Sequence, residues 1–188
     1  MFASLYQPSH GEAGALAAIA ADFSPRYELH HSSFARRAPE DEPPVDDVHD
    51  VVVIDISGLE RLLGTTRRIG EELRRTAATR GVHVHAAIAG TQTAAMILAR
   101  AQPGLTVIGR GAEADRLAPL ALDILGKASP PVSTFGHEPV LSLEVLETLK
   151  RWGLRTLGDL AALPPADLVA RLGRPALVWQ ALARGEDV

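Results

Sequence analysis

Two acids bracket the stretch most able to do chemistry. Asp50 and Asp55 stand at either end of Val51-Val52-Val53-Ile54, which runs on through Ile56-Ser57-Gly58 into Leu59-Glu60-Arg61-Leu62-Leu63-Gly64. Carboxylates at the end of an apolar strand can gather divalent cations, because hard cations take oxygen ligands and need several of them. One acid is too few. The residue after Asp50 is Val51, and Met1-Phe2-Ala3-Ser4-Leu5-Tyr6 contains no acid. Asp55, two residues before Ser57, has the spacing of a side chain that folds back on a turn. His83 and His85, two apart on one strand face, could offer two nitrogen ligands, but no cysteine and no obvious third ligand accompany them. They and His30-His31 read as ordinary sheet-face histidines.

A second candidate is cationic. Leu149-Lys150-Arg151-Trp152-Gly153-Leu154-Arg155-Thr156-Leu157-Gly158-Asp159-Leu160 reads as two helices joined by a tight glycine turn. Such a turn, opening a helix at Thr156, exposes backbone N–H groups that can receive a phosphate without reading sequence. Lys150, Arg151 and Arg155 would add charge beside Gly153 and Gly158, giving salt-dependent binding to nucleic acid. The alternative is a helical hairpin whose basic residues are only solvated. Trp152 and Trp179 fall at helical positions expected to pack in a core.

The elements that must position these residues follow from periodicity. Phe2 to Tyr6 suits a strand, Glu12 to Asp22 an Ala-rich helix, and Tyr27 to His30 a second strand. Residues 35–47 are polar, Pro-rich and acidic, an excursion between strands. Val51 to Ile56 is the next strand, and a helix from Thr66 to Arg80 ends at Gly81. Arg67, Arg68, Arg74 and Arg75 with Glu71 and Glu72 give that helix a salt-bridged, solvated face. Val82 to Ala89 alternates as a strand, Thr91 caps a helix to Ala101, and Leu105 to Ile108 is a last strand. This order predicts an α+β fold: a ferredoxin-like domain over 1–120, its antiparallel sheet covered by helices on one face and open on the other. A linker over 121–141 leads to a small all-α domain over 142–188, with helices Leu143–Trp152, Leu157–Leu163, Ala166–Leu172 and Pro175–Ala183.

Composition narrows the function. Hydrophobic residues make up 46% of the 188, enough to bury a core, while the aromatic share of 4% means Ala, Leu, Val and Ile must fill it. A net charge of −4 gives no global pull on a polyanion, so any nucleic-acid contact must be local. Zero cysteines exclude disulfides and thiolate metal sites. No apolar run reaches membrane-spanning length, and the N-terminus lacks a leader pattern. A soluble cytoplasmic protein without membrane partners is expected.

Ala21-Asp22-Phe23-Ser24-Pro25-Arg26-Tyr27-Glu28, then Val52–Gly64, then Ala87-Ile88-Ala89-Gly90-Thr91-Gln92-Thr93-Ala94-Ala95 with Ala99-Arg100-Ala101-Gln102-Pro103-Gly104, then Leu146–Leu163 and Ala183-Arg184-Gly185-Glu186-Asp187 follow one order. In that order they resemble the palm and thumb of Y-family translesion DNA polymerases, and most closely their ImuB-like relatives, from about Ala20 onward. The resemblance implies two metal ions held by an acid on the first strand and an Asp-Glu pair opening the strand that leads to the Asp-x-Ser-Gly turn. Asp50 occupies the first position of that pair and Val51 the second, and the first strand has no acid. The space between Tyr6 and Ala20 holds only a turn and a helix where family polymerases insert a fingers domain, and Val188 follows directly on the thumb.

These departures lead to the expectation of no enzyme: a degenerate, noncatalytic scaffold of translesion synthesis and damage-induced SOS mutagenesis, with no metal and no cofactor. By the resemblance its partners would be primer–template DNA, an error-prone replicative-type polymerase, a sliding clamp and a RecA-like protein. DNA contact is expected at Lys150, Arg151, Gly153, Arg155, Thr156 and Gly158. Two alternatives stand beside it. One is an active polymerase core using Asp50 with another acid such as Asp46 or Asp47, and the other a generic helix-hairpin DNA-binding module fused to an interaction domain.

Overall fold

The computed structural model describes residues 1–8, 14–30, 51–127, 141 and 143–188. Asp46, Asp47, Asp50, His31, Ser142 and the 35–47 excursion lie outside the described residues. Strand β1 (Phe2–Tyr6) leads to α1 (Ala15–Phe23), β2 (Tyr27–His30) and β3 (Val51–Asp55). A short α2 (Glu60–Leu63) and the longer α3 (Thr66–Thr79) precede β4 (His85–Ala89), α4 (Gln92–Ala101) and β5 (Leu105–Val107). The five strands form one sheet in the order β2-β3-β1-β4-β5. β1 lies in the centre, antiparallel to β3 and β4, so the two strands joined through α3 are split by it, as a split βαβ unit requires.

Two features differ from the sequence expectation. The sheet is mixed, because β5 pairs parallel with β4 after the crossover through α4. The helices also occupy both faces. Val52, Ile54, Ala86 and Ile88 pack with Leu16 and Ile19 of α1 and with Ile69 and Leu73 of α3. On the opposite face, Ala87 and Ala89 pack with Ala94, Ala95 and Leu98 of α4, while Val51 and Val53 meet Met96. The sequence of α4 gives the reason. Every residue from Thr93 to Ala99 is buried, so the helix has no wet side over that span and must be covered all round. Its alanines allow close approach to Ala87 and Ala89 of the sheet.

What covers the far side of α4 is the C-terminal half. Short helices α5 (Glu113–Leu117) and α6 (Ile124–Lys127) precede α7 (Leu143–Arg151), α8 (Leu157–Ala162), α9 (Pro165–Leu172) and α10 (Pro175–Arg184). Leu117, Leu122, Leu125, Leu149, Leu160 and Trp179 join the alanines of α4 in one continuous cluster. Within it the buried Gln180 donates its side-chain amide to the carbonyls of Leu160, Ala161 and Leu163, at 3.3, 3.3 and 2.6 Å. That satisfies the carbonyls ending α8, where a buried polar group would otherwise go unpaired.

Candidate nucleic-acid interface

β3 carries its two ends to opposite ends of the sheet. Asp55 pairs with Phe2, whereas Val51 pairs with Tyr6. Asp55 accepts the Ser57 amide at 2.9 Å and lies 3.5 Å from the Arg26 guanidinium. The Ser57 hydroxyl, the Ser57 amide and the Arg26 side chain hold its carboxyl below the usual carboxylate range. Asp55 therefore ends a strand and caps a turn, as its spacing to Ser57 implied.

The Val51 end is apolar and cationic. Val51 is fully buried with Val53 and Met96, and Phe2 and Tyr6 pack against them. Tyr6 meets His85 edge-on at 5.9 Å between ring centroids, and the Arg100 guanidinium stands 5.5 Å from the Tyr6 ring. His85 meets His83 edge-on at 5.7 Å. Burial, with the charges of His83 and Arg74, pushes the His85 imidazole below its ordinary value. No group of three or more His, Asp and Glu suited to a metal ion occurs among the described residues. Among the described side chains at this end, Val51 and Tyr6 offer no carboxylate to a divalent cation. Asp50, Asp46 and Asp47 fall in the undescribed stretch.

The helical hairpin is organised differently from the expectation of free amides. Gly153 turns the chain at φ +89°, a conformation L side chains rarely adopt, and its N–H donates to Lys150. The N–H groups of Arg155 and Thr156 both donate to the Asp159 carboxylate, at 2.8 and 2.9 Å, and the Thr156 hydroxyl accepts from Asp159 N–H at 3.2 Å. This closes a capping box at the start of α8. Leu157 and Gly158 donate to the carbonyls of Leu120 and Ala118, each at 2.9 Å. A Cβ on Gly158 would lie 3.1 Å from Ala118, so the glycine permits this close approach. The amides open to a phosphate in an isolated hairpin already have acceptors in the chain.

The side chains keep the outward charge. Arg151 and Arg155 are exposed, and Arg151 donates to the Thr148 hydroxyl at 3.1 Å. Lys150 pairs with Asp123 at 2.5 Å. Trp152, expected in the core, is 40% exposed, with the Arg171 guanidinium 5.3 Å from its ring centre. Its place at the tip, past the last turn of α7, takes it off the buried face.

A clasp missed at the sequence level joins the two halves. The Asp187 carboxylate accepts the N–H groups of Thr93 and Gln92, at 2.9 and 3.3 Å, and so caps the N-terminus of α4. Thr91 caps the same end through Ala94 N–H at 3.3 Å and donates its hydroxyl to the Gly185 carbonyl at 2.6 Å. Gly185 has φ +75°, and an added Cβ would lie 2.8 Å from Leu117 and 3.2 Å from Ala94. Two stretches of the sequence noted separately, Gly90–Ala95 and Ala183–Asp187, form one joint. The usable signal was an acid two residues after a conformationally special glycine.

No protein-family model matches the chain. DNA polymerase IV of Dehalococcoides mccartyi strain CBDB1 is 32% identical over 141 residues, 73% of this chain and 33% of the relative. The DNA polymerase IV of strain ATCC BAA-2100 is 30% identical over the same length and shares. The chain spans about a third of the length of these curated relatives. Among solved structures, DinB from Sulfolobus solfataricus superposes with a TM-score of 0.57 at 17% identity, over 92% of this chain and 44% of that one. The insertion ternary complex of Dbh DNA polymerase gives 0.57 at 18%, over 91% and 42%. By sequence the chain is homologous to Y-family DNA polymerases of the DinB and DNA polymerase IV kind, and its five-stranded sheet with helices is their palm-like fold. The expectation of no enzyme is thereby overturned, because the proteins it is homologous to are named for an enzyme. The missing acids of β1 and position 51 had suggested otherwise, but they leave the acids of the undescribed stretch uncounted.

Proposed function

We propose that the chain is a palm-and-thumb unit of the Y-family polymerases that holds primer–template DNA, independently of sequence, during translesion synthesis in the cytoplasm. The observation that carries this reading is the 32% identity to a DNA polymerase IV over 141 residues, on a chain with the same palm-like sheet. The exposed Arg151 and Arg155 beside the hairpin support backbone contact through side-chain charge. Lys150 would join them only by leaving Asp123. Gly153, Thr156 and Gly158 would serve by shaping the turn, since their amides are engaged within the chain.

Primer extension with magnesium or manganese tests the polymerase half of the reading. Incorporation abolished by Asp50→Ala places the chemistry on this chain, with Asp46 or Asp47 as the next acids to replace. Incorporation indifferent to Asp50→Ala removes that residue from the site.

A second reading is supported by Val51, a buried apolar side chain at the position where the resemblance implies a glutamate. It gives the chain an ImuB-like bridging role, bringing together an error-prone replicative-type polymerase, a sliding clamp and a RecA-like partner after DNA damage. Co-purification of any of the three with the full chain supports it, and absence of all three from damaged cells counts against it.

A further inference from the structure

Among the described residues, Trp152 is the one aromatic side chain in the set of exposed large hydrophobics, beside Leu62, Leu177 and Val188. An indole left 40% exposed at the tip of a hairpin gives up burial that its neighbours Leu149 and Leu157 obtain in full. The ring is not idle, however: the Arg171 guanidinium of α9 stands 5.3 Å from its centre, a cation–π contact that steadies the ring's orientation. Arg171 makes no ion pair among the described residues, so its charge remains available beside the ring. Arg151 directly precedes the tryptophan and Arg155 follows three residues on, both exposed. The nearest acid of the turn, Asp159, is occupied by the Arg155 and Thr156 amides and the Thr156 hydroxyl, which hold its carboxyl below the usual range.

An exposed aromatic ring with one guanidinium over it, and two further exposed arginines on the same turn, has the composition of a stacking platform for single-stranded nucleic acid. Every base has a π-face, and the adjoining phosphates meet the cations. Apolar protein partners would fit it poorly, since binding them would strip water from three arginines without a matching charge. We infer that Trp152, backed by Arg171, stacks an unpaired nucleobase, so that the hairpin engages single-stranded template rather than duplex backbone alone. The inference rests on the DNA-holding reading and deepens it.

The test uses the full chain with three probes of equal length: a single-stranded oligothymidylate, a blunt duplex, and an abasic strand that keeps the phosphates without the bases. Trp179 is buried, so quenching of exposed tryptophan emission reports on Trp152. The expected result is quenching by oligothymidylate, affinity about five- to tenfold lower in Trp152→Ala, most of it retained in Trp152→Phe, and abasic-strand binding insensitive to either change. Unchanged circular dichroism in Trp152→Ala shows that folding is not the cause. If the duplex binds while oligothymidylate binding ignores Trp152→Ala, the stacking inference falls and the DNA-holding reading stands. If none of the probes binds, both fall.

Discussion

At the scale of single residues, three carboxylates accept backbone N–H groups at a turn or helix start, Asp55 and Asp159 locally and Asp187 across the chain. Asp187 at the start of α4 replaces lost N–H partners and meets the positive end of the helix dipole. Asp187→Ala should destabilise the fold by about 1 kcal/mol, read as a lowered urea midpoint with an unchanged slope. Asp159 and Asp55 are both held below the ordinary carboxylate range, Asp159 by the Arg155 and Thr156 amides and the Thr156 hydroxyl, Asp55 chiefly by Ser57. The folded state therefore binds fewer protons than the unfolded one. Their contribution is present above an unfolded value of about 4 and is lost as pH falls below it through the folded values. Denaturation followed from pH 6 to pH 3 should show falling stability, with a shallower fall in Asp159→Asn.

At the scale of elements, α4 decides the architecture. Its alternation with the strands was readable, as were the Thr91 cap and the end of α3 at Gly81, because each rests on local signals. Which sheet face it takes was not, since burial on all sides from Thr93 to Ala99 leaves no polar stripe to orient it. The same limit hid α2, α5 and α6, all five residues or shorter, for which periodicity has nothing to count. The capping box at Thr156 and Asp159 was half legible. Its spacing was present in the sequence, but the acceptors on Leu120 and Ala118 come from the end of the preceding domain, which no local signal connects to the hairpin. The clasp against α4 makes Gly185 the element-scale test. Gly185→Ala forces a side chain into a φ of +75° and against Leu117, and should cost about 2 kcal/mol or more. Differential scanning calorimetry should show both halves melting together at a lower temperature, because one core spans them.

At the scale of the whole molecule, the net charge of −4 gives no global pull on DNA, so the proposed binding rests on a local basic face, for which the hairpin is the candidate. The relationship to Y-family DNA polymerases was legible through short motifs in a fixed order, whereas the similarity to DNA polymerase IV in particular came from the comparison of whole sequences. The catalytic question was not, because absent acids on β1 and at Val51 say nothing of acids elsewhere in the chain. The expectation of a non-enzyme came from counting ligands at positions defined by resemblance, whereas the described structure leaves Asp46, Asp47 and Asp50 unplaced.

The most direct measurement is the affinity of the full chain for primer–template DNA as salt is raised, for the parent protein and for the Arg151→Ala, Arg155→Ala double variant. The DNA-holding account predicts log K falling linearly with log salt, and a slope about two units shallower in the variant. Affinity indifferent to salt, or identical in the two proteins, would contradict it.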